Sequence, residues 1–495
     1  MATSRDFKEK RWLALVLLCS AQFVVVLDAS IVNVALPTIG DALHFSQANL
    51  PWVVNAYILT FGGFLLLGGR TADLLGRRRV FMAGLLVVAV ASLAAGFAST
   101  EGQLIAARAA QGLGAAIISP AALSIVTTTF SDGSERNKAL GVWGAVAGSG
   151  GAAGVLLGGI LTDGLGWEWV LWVNVPVSLI AFALSPRLIA ETRAEHETRA
   201  FDVAGAVTVT AALSILVYAV VDATSAGWGS TKTLGLIAAS LVLLAAFVAI
   251  ELRATKPLVP FSIFRIRTLT GANVVGLLVG ASLFSMFFFI SLYMQQVLGY
   301  SAIHAGLSYL PLALVIMASA AIASQLVTRF GYKPVLAAGL LFIVIGLVWF
   351  SRVSVGGGFT TDILGPSLFA AAGLGFAFVT TTIAAVSGVA ESEAGLASGL
   401  INTSQQIGGA LGLAVLSTLA TSRTDDVMSA GGSSLANGLT EGFQAAFLGG
   451  AAIAALGFVL TLLLIRGSDS RAHVELGSAA ASEAGEQEAT EAASA

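Results

Sequence analysis

Charge is scarce in this chain: Asp, Glu, Lys and Arg make up 11% of its 495 residues, against about 25% in soluble domains. A soluble fold of this length could not hide the 56% that is apolar. Cysteine is nearly absent. The single thiol, Cys19, excludes an intrachain disulfide framework and a cysteine metal site. The four histidines, His44, His196, His304 and His473, are scattered without ligand spacing, so no metal is expected. No basic face remains once the loops are assigned, which excludes a nucleic-acid partner. No nucleophile–base set stands out, which speaks against an enzyme. An A-x-A-like cleavage site is also missing after the first apolar run, Trp12 to about Val26. That run is read as a retained first span rather than a cleaved signal.

What the chain does have is long apolar runs. Crossing a bilayer takes about 20 mainly apolar residues. Fourteen runs of that length are legible, from one centred on Phe23 to one on Leu456. With the N-terminus in the cytoplasm, the inside segments hold 21 Lys and Arg and the outside segments 3, namely Lys232, Arg352 and Arg423. That split obeys the positive-inside rule and supports both the count and the orientation, because one missed helix would scramble all later loops. Both termini are therefore expected in the cytoplasm, in the inner or plasma membrane. Long inside links at 187–202 and 251–268 suggest an organisation of six, two and six. It comprises an N-tail (1–11), a first half (12–190), a central pair (201–252) and a second half (269–466). The Ala/Glu/Ser-rich tail, 468–495, is expected to be disordered. A weak internal repeat fits two halves: GRTADLLGRRRVF follows the second span and SQLVTRFGYKPVL the tenth. Duplication of this kind is common in secondary transporters.

Five segments carry a more specific likeness. LDASIVNVALP (Leu27–Pro37) resembles the first-helix signature of the 14-helix drug/proton antiporters of the major facilitator superfamily. GRTADLLGRRRVF (Gly69–Phe81) resembles that superfamily's loop motif, and RAAQGLGAA (Arg108–Ala116) its fourth-helix motif. GVWGAVAGSGGAAGVLLGGILT (Gly141–Thr162) resembles the fifth-helix antiporter motif. GLASGLINTSQQIGGALGLAV (Gly395–Val415) resembles the thirteenth-helix signature. Their order and spacing match from about residue 12 to 465. There are departures: Val155 stands where the antiporter motif has proline after Gly154, which puts the usual bend of helix five in doubt. Glu168 stands where WEWVLWVNVP usually has a basic residue. The resemblance implies an all-α bundle of two six-helix halves with two central inserted helices, acting as a monomer without cofactor. It implies proton-driven efflux of small lipophilic compounds, so the partners are substrate, protons and lipid. A metabolite or nutrient symporter on the same fold is the alternative.

The residues can also be read one by one. In the loop motif, Gly69 and Gly76 permit tight turns. Asp73 stands among Arg70, Arg77, Arg78 and Arg79. It can cap a helix N-terminus or pair with an arginine across the two halves, a clasp that would hold one conformation; the alternative is a plain topology anchor. In the fifth span Gly144 and Gly148 are four apart, as are Gly150, Gly154 and Gly158, with Gly159 beside them. That spacing lines one face without side chains, for packing or for a moving gate. Polar residues in spans are expensive and suggest pathways. Asn33, Asn55, Tyr57, Gln111, Gln295, Asn402, Gln405 and Gln406 are candidates for a substrate cavity, or for bonding neighbouring helices.

Two charges lie deep in the spans, Asp28 and Arg108. Starting helix one near Leu13, Asp28 is 15 residues along, about 22 Å from the inner edge. Arg108 is 5 residues past Gln103 on a helix running the other way, about 8 Å from the outer edge. In a core of about 30 Å these depths coincide. The pair can meet if helices one and four are neighbours, as the resemblance implies. Asp28 is then expected to carry the coupling proton and Arg108 to tune it; a static buried ion pair is the alternative.

Overall fold

The computed structural model describes residues 10–45, 49–50, 52–130, 133–192, 202–254, 257–390, 393–430, 434–467 and 470. Residues 1–9 of the expected N-tail and 471–495 of the expected disordered tail lie outside them. Helices follow one another throughout, and no strand occurs among the described residues. The first half comprises α1 Arg11–Ala42, α2 Trp52–Leu75, α3 Arg77–Gly96, α4 Glu101–Thr129, α5 Gly133–Gly164 and α6 Trp169–Leu188. Then come α7 Val203–Ala226 and α8 Thr231–Glu251. The second half comprises α9 Arg267–Val297, α10 Ile303–Phe330, α11 Tyr332–Phe350, α12 Phe359–Val386, α13 Ala394–Ser429 and α14 Leu435–Leu464.

Many helices start where a short polar side chain takes up a free backbone N–H. Thr100 accepts from Gln103 at α4, Asp202 from Gly205 at α7, Ser230 from Thr233 at α8 and Ser434 from Asn437 at α14. Between these caps the sequence leaves large apolar side chains facing outward. On α8 alone Leu234, Leu241, Val242 and Val248 are exposed. A surface of this kind is stable only against hydrocarbon, so the protein is a multi-pass membrane protein. Among the described residues eleven helices are long and apolar enough to cross a membrane, and twelve if the bent α5 is one span. The other two are α7, whose apolar stretch is Ala204–Val220, and α13, diluted by Asn402, Gln405 and Gln406. The count by this measure is thus eleven or twelve, against fourteen read from the sequence.

The packing repeats with a period of eight helices. In the first half α1 packs on α4, α5 and α6, α4 also takes α2 and α3, and α3 packs on α6. Eight helices on, α9 packs on α12, α13 and α14, α12 takes α10 and α11, and α11 packs on α14. Contacts between the halves obey the same rule: α5 meets α10 and α12, and α13 meets α2 and α4. The paired helices α7 and α8 stand outside the repeat, with α7 against α2 and α13. The two repeated loop sequences lie at equivalent turns. Gly76 joins α2 to α3 at φ 106° and Gly331 joins α10 to α11 at φ 81°, conformations that favour glycine.

α5 bends by 43° between Gly133–Gly151 and Ala153–Gly164. The bend therefore forms without a proline at position 155. It falls at the adjacent glycines Gly150 and Gly151, a recognised cause of kinks.

Candidate functional site

Asp28 and Arg108 meet. Their helices α1 and α4 are packed neighbours, and Arg108 Nη1 donates to Asp28 Oδ2 at 2.6 Å. Arg108 is 0% and Asp28 2% exposed. Burying two charges is costly, and the pair persists only if its other polar atoms are served. Here most of them are. Arg108 Nε donates to the Val53 carbonyl of α2 at 2.9 Å, and Nη1 also to Gln111 Oε1 at 2.9 Å. Gln111 Nε2 donates to Ser92 Oγ of α3 at 2.7 Å and reaches Asp28 Oδ1 at 3.4 Å. From α6, Asn174 Nδ2 donates to Asp28 Oδ1 at 2.6 Å. The Tyr57 ring lies under the guanidinium, 4.5 Å from Cζ, while its hydroxyl donates to the Val25 carbonyl of α1. Five helices thus meet in one network around the ion pair, with α4 and α6 bonding the carboxylate itself. Every hydrogen bond described for the Asp28 carboxylate is donated to it, and any step that separates α1 from α4 removes its counter-charge.

Tyr57 and Gln111 therefore belong to the shell of the ion pair, not to a free cavity wall. Both are buried, with their polar ends engaged in that shell. The sequence held a signal for Gln111, since it is three residues from Arg108 on the same helical face. Asn174 and Ser92 were missed; both are small neutral residues whose role depends on what they face.

The α5 glycines split into two faces. Gly150, Gly154 and Gly158 lie against α1 within the first half: a Cβ at Gly150 would meet Val26 at 2.8 Å, and one at Gly158 the Ile31 carbonyl at 2.7 Å. A Cβ at Gly154 would overlap Ser30 Oγ and press on the Leu27 carbonyl at 3.0 Å. This stripe seats α1 at the turn that carries Asp28. Gly144 and Gly159 face the second half instead, at Val379 of α12 and Ile303 of α10. Gly148 lies in the same helix, but its packing is outside what is described. The single gating face expected from spacing is therefore two faces, one within a half and one between halves. Gly154→Val is expected to reach the membrane and lose transport about tenfold or more, because overpacking costs about 1–3 kcal/mol and displaces Asp28. Gly164→Val, at the far end of the same helix, where a Cβ meets nothing within 4 Å, serves as its control. Equal transport by the two variants, at equal expression, would show that the seat of α1 does not matter.

At the end of the bundle where α1 begins, Asp73 joins the halves. It is 0% exposed. Arg77 donates to its Oδ1 from Nη2 at 3.0 Å and from Nε at 3.2 Å. Across the interface the backbone N–H groups of Gly395 and Leu396, in the first turn of α13, donate to Oδ1 and Oδ2 at 3.1 and 3.0 Å. The carboxylate thus both pairs with an arginine and caps a helix. Gly69 and Gly395 make this approach possible, since a Cβ on either would strike the other's carbonyl oxygen. Arg78 turns away from the clasp: its backbone N–H donates to Glu191 at 3.2 Å and its Nη1 to the Ile189 carbonyl. The Glu191 carboxylate also lies against Gly76.

The remaining cavity candidates have different surroundings. Asn33 and Gln295 are exposed and bonded within their own helices, to Ala29 and Ser291. Asn55 and Gln406 are half-buried. Asn402 joins the halves by accepting from Ser119 of α4 at 3.3 Å, and Gln405 is buried against α9 at Gly276 and Gly280. Among the described residues no three His, Cys, Asp or Glu side chains gather as a metal site requires.

Comparison with known proteins agrees with this architecture. The sequence model of the Major Facilitator Superfamily matches residues 18–413. The Cephamycin export protein CmcT of Amycolatopsis lactamdurans is 42% identical over 414 residues, 83% of this chain and 85% of that one. The Puromycin resistance protein pur8 of Streptomyces alboniger is 38% identical over 478 residues, covering 95% and 94%. In fold, the solved proton:xylose symporter XylE superposes with a TM-score of 0.63 at 12% identity, covering 94% of this chain and 97% of that one.

Proposed function

We propose that this chain, which belongs to the Major Facilitator Superfamily, exports small antibiotics or similar lipophilic compounds and drives that export by proton entry. Relatives that align over more than four-fifths of both chains are named for antibiotic export and resistance, which supports export over symport. XylE, at 12% identity, speaks only to the fold. The observation that carries the coupling reading is the buried Asp28–Arg108 pair. An intramembrane acid and base at matched depth are costly, and they sit at the contact of α1 with α4, where protonation can be tied to helix movement. The proton gradient then serves in place of any cofactor, and a single chain suffices.

The working arrangement has all fourteen helices crossing the cell membrane, with both termini in the cytoplasm. The distribution of 21 Lys and Arg inside against 3 outside supports it. Reporter fusions after Arg79, Arg267 and Ile465 should report cytoplasm, and a fusion at Gly229 the outer face. An outer-face signal at Arg267 would break the arrangement at α7 and α8.

The function itself is tested by a compound-sensitivity screen in a host stripped of its own pumps, followed by everted vesicles. Raised tolerance to a set of lipophilic antibiotics, and collapse of the vesicle proton gradient on adding one of them, is the expected result. Uptake of a nutrient with protons, without any raised tolerance, would establish the symporter instead.

A further inference from the structure

Asn174 has a feature its role as a donor does not explain. It is 0% exposed, and its Nδ2 makes a 2.6 Å hydrogen bond to Asp28, yet its Oδ1 has no hydrogen-bond partner. A buried acceptor left unserved costs roughly 1–3 kcal/mol, so its presence beside a carboxylate needs a reason. A carboxamide is nearly symmetric in shape, with donors at one end and an acceptor at the other. A half-turn about its last torsion exchanges Nδ2 for Oδ1 at the same position.

An ionised carboxylate and a carboxylic acid make opposite demands. The first accepts only, and Arg108, Gln111 and Asn174 all donate to it. The second has one O–H that must find an acceptor. Near Asp28, Gln111 Oε1 already accepts from Arg108, and Ser92 Oγ already accepts from Gln111. The Val25 carbonyl already accepts from Tyr57. Asn174 Oδ1 is unused. The charged or titratable groups facing Asp28 are Arg108 of α4 and Tyr57 of α2. At Asp28 the other elements bring neutral groups, Asn174 of α6 and the glycine stripe of α5; the Glu135 carboxylate of α5 meets α1 at Arg11, near the helix start.

We propose that Asn174 is a positioning residue that holds Asp28 in both protonation states, donating to the carboxylate and, after a half-turn of its carboxamide, accepting from the acid. This rests on the reading of Asp28 as the proton carrier. When Asp28 gains a proton, one O–H bond forms and the ion pair to Arg108 is given up. Arg108 keeps the Val53 carbonyl and Gln111 Oε1, and Asn174 takes the new O–H. The acid is thereby kept in place until the proton leaves on the other side.

The test needs no known substrate. Infrared difference spectra of the purified full chain in liposomes, taken across a pH series, should contain a carboxylic C=O band that Asp28→Asn removes. In Asn174→Leu that band should move to higher wavenumber, because the acid O–H has lost its acceptor. Ethidium, as a probe of proton-driven export, should leave about tenfold more slowly. Asn174→Ser, whose hydroxyl can donate and accept, should hold the band closer to its wild-type place. If Asn174→Leu does not fold, wild-type chain with isotope-labelled asparagine amides carries the test. An amide band should change together with the Asp28 band, and it should be missing from Asn174→Ser. An Asp28 band unmoved in Asn174→Leu, or an amide band that persists in Asn174→Ser, overturns the role given to Asn174. Absence of any Asp28-dependent band in the wild type overturns the proton-carrier reading itself.

Discussion

Asp28→Asn is expected to reach the membrane in wild-type amount and to lose proton-driven export by at least about a hundredfold, the scale of the roughly 3 kcal/mol at stake in a buried pair. The substitution keeps the shape. Its amide oxygen can still accept from Arg108, so the five-helix junction stays closed. On the proposed coupling, what it removes is the proton carrier: no group at this position can then change charge. Exchange of labelled for unlabelled compound, which needs no net proton movement, should survive better than export. Arg108→Ala is expected to be inactive for the complementary reason. An ionised carboxylate left buried without its counter-charge costs several kcal/mol, a cost that protonation removes, so Asp28 would hold its proton and never cycle. Arg108→Lys should be partly active. A lysine can reach one or two acceptors, but it cannot span Val53, Asp28 and Gln111 at once as the planar guanidinium does. The measurement is efflux from liposomes under an imposed pH difference. Wild-type rates from purified Asp28→Asn would place coupling elsewhere and reduce the pair to a structural one.

Depth and charge made this pair legible before any coordinates. Helix rise is fixed, so two charges on antiparallel helices can be given matching depths by counting residues. The neighbourhood of α1 and α4, by contrast, came from the family resemblance. Asn174 was not legible: it stands in the quoted segment WEWVLWVNVP, but nothing in a sequence says which way an amide faces across three helices. The glycine stripe was half legible. At 100° per residue, Gly144 and Gly150 are separated by two-thirds of a turn, so spacing already places them on different faces. Which face meets α1 and which meets the second half depends on tertiary packing. The role of each cavity candidate was not legible because a polar residue within a span has two uses, pathway and helix bonding, and sequence does not separate them. α13 falls short of the measure of a span for a related reason. A helix that packs against others on several sides, as α13 does on α2, α4, α9 and α14, can carry polar and small residues that a lipid-facing helix cannot.

The repeat of the fold sharpens what to expect at the loop clasp. Asp73 lies three residues before Gly76, and Thr328 three before Gly331, so the two are equivalent positions at the ends of α2 and α10. Each reaches the start of the helix it faces in the other half. Asp73 accepts from the backbone at the start of α13, and Thr328 Oγ1 accepts from Asn137 Nδ2 near the start of α5 at 2.9 Å. One clasp is charged and the other neutral. A neutral hydrogen bond contributes about 1 kcal/mol. Asp73→Asn instead removes the charge from the pair with Arg77, 1% exposed, and hydrogen bonds to a charged group contribute about 1.5–3 kcal/mol. Asp73→Asn should therefore insert normally but cut transport by about tenfold to a hundredfold, and Thr328→Val by only a few-fold. The conformational bias can be read separately. In a Cys19→Ser background, a cysteine placed at Ala394, which is buried beside the clasp, should react with a maleimide from this end of the bundle faster in Asp73→Asn than in the parent. Equal labelling together with undiminished transport would leave Asp73 as an incidental acid in a positively charged anchor. Equal effects of Asp73→Asn and Thr328→Val would mean that closure here depends on shape, through Gly69 and Gly395, and not on charge.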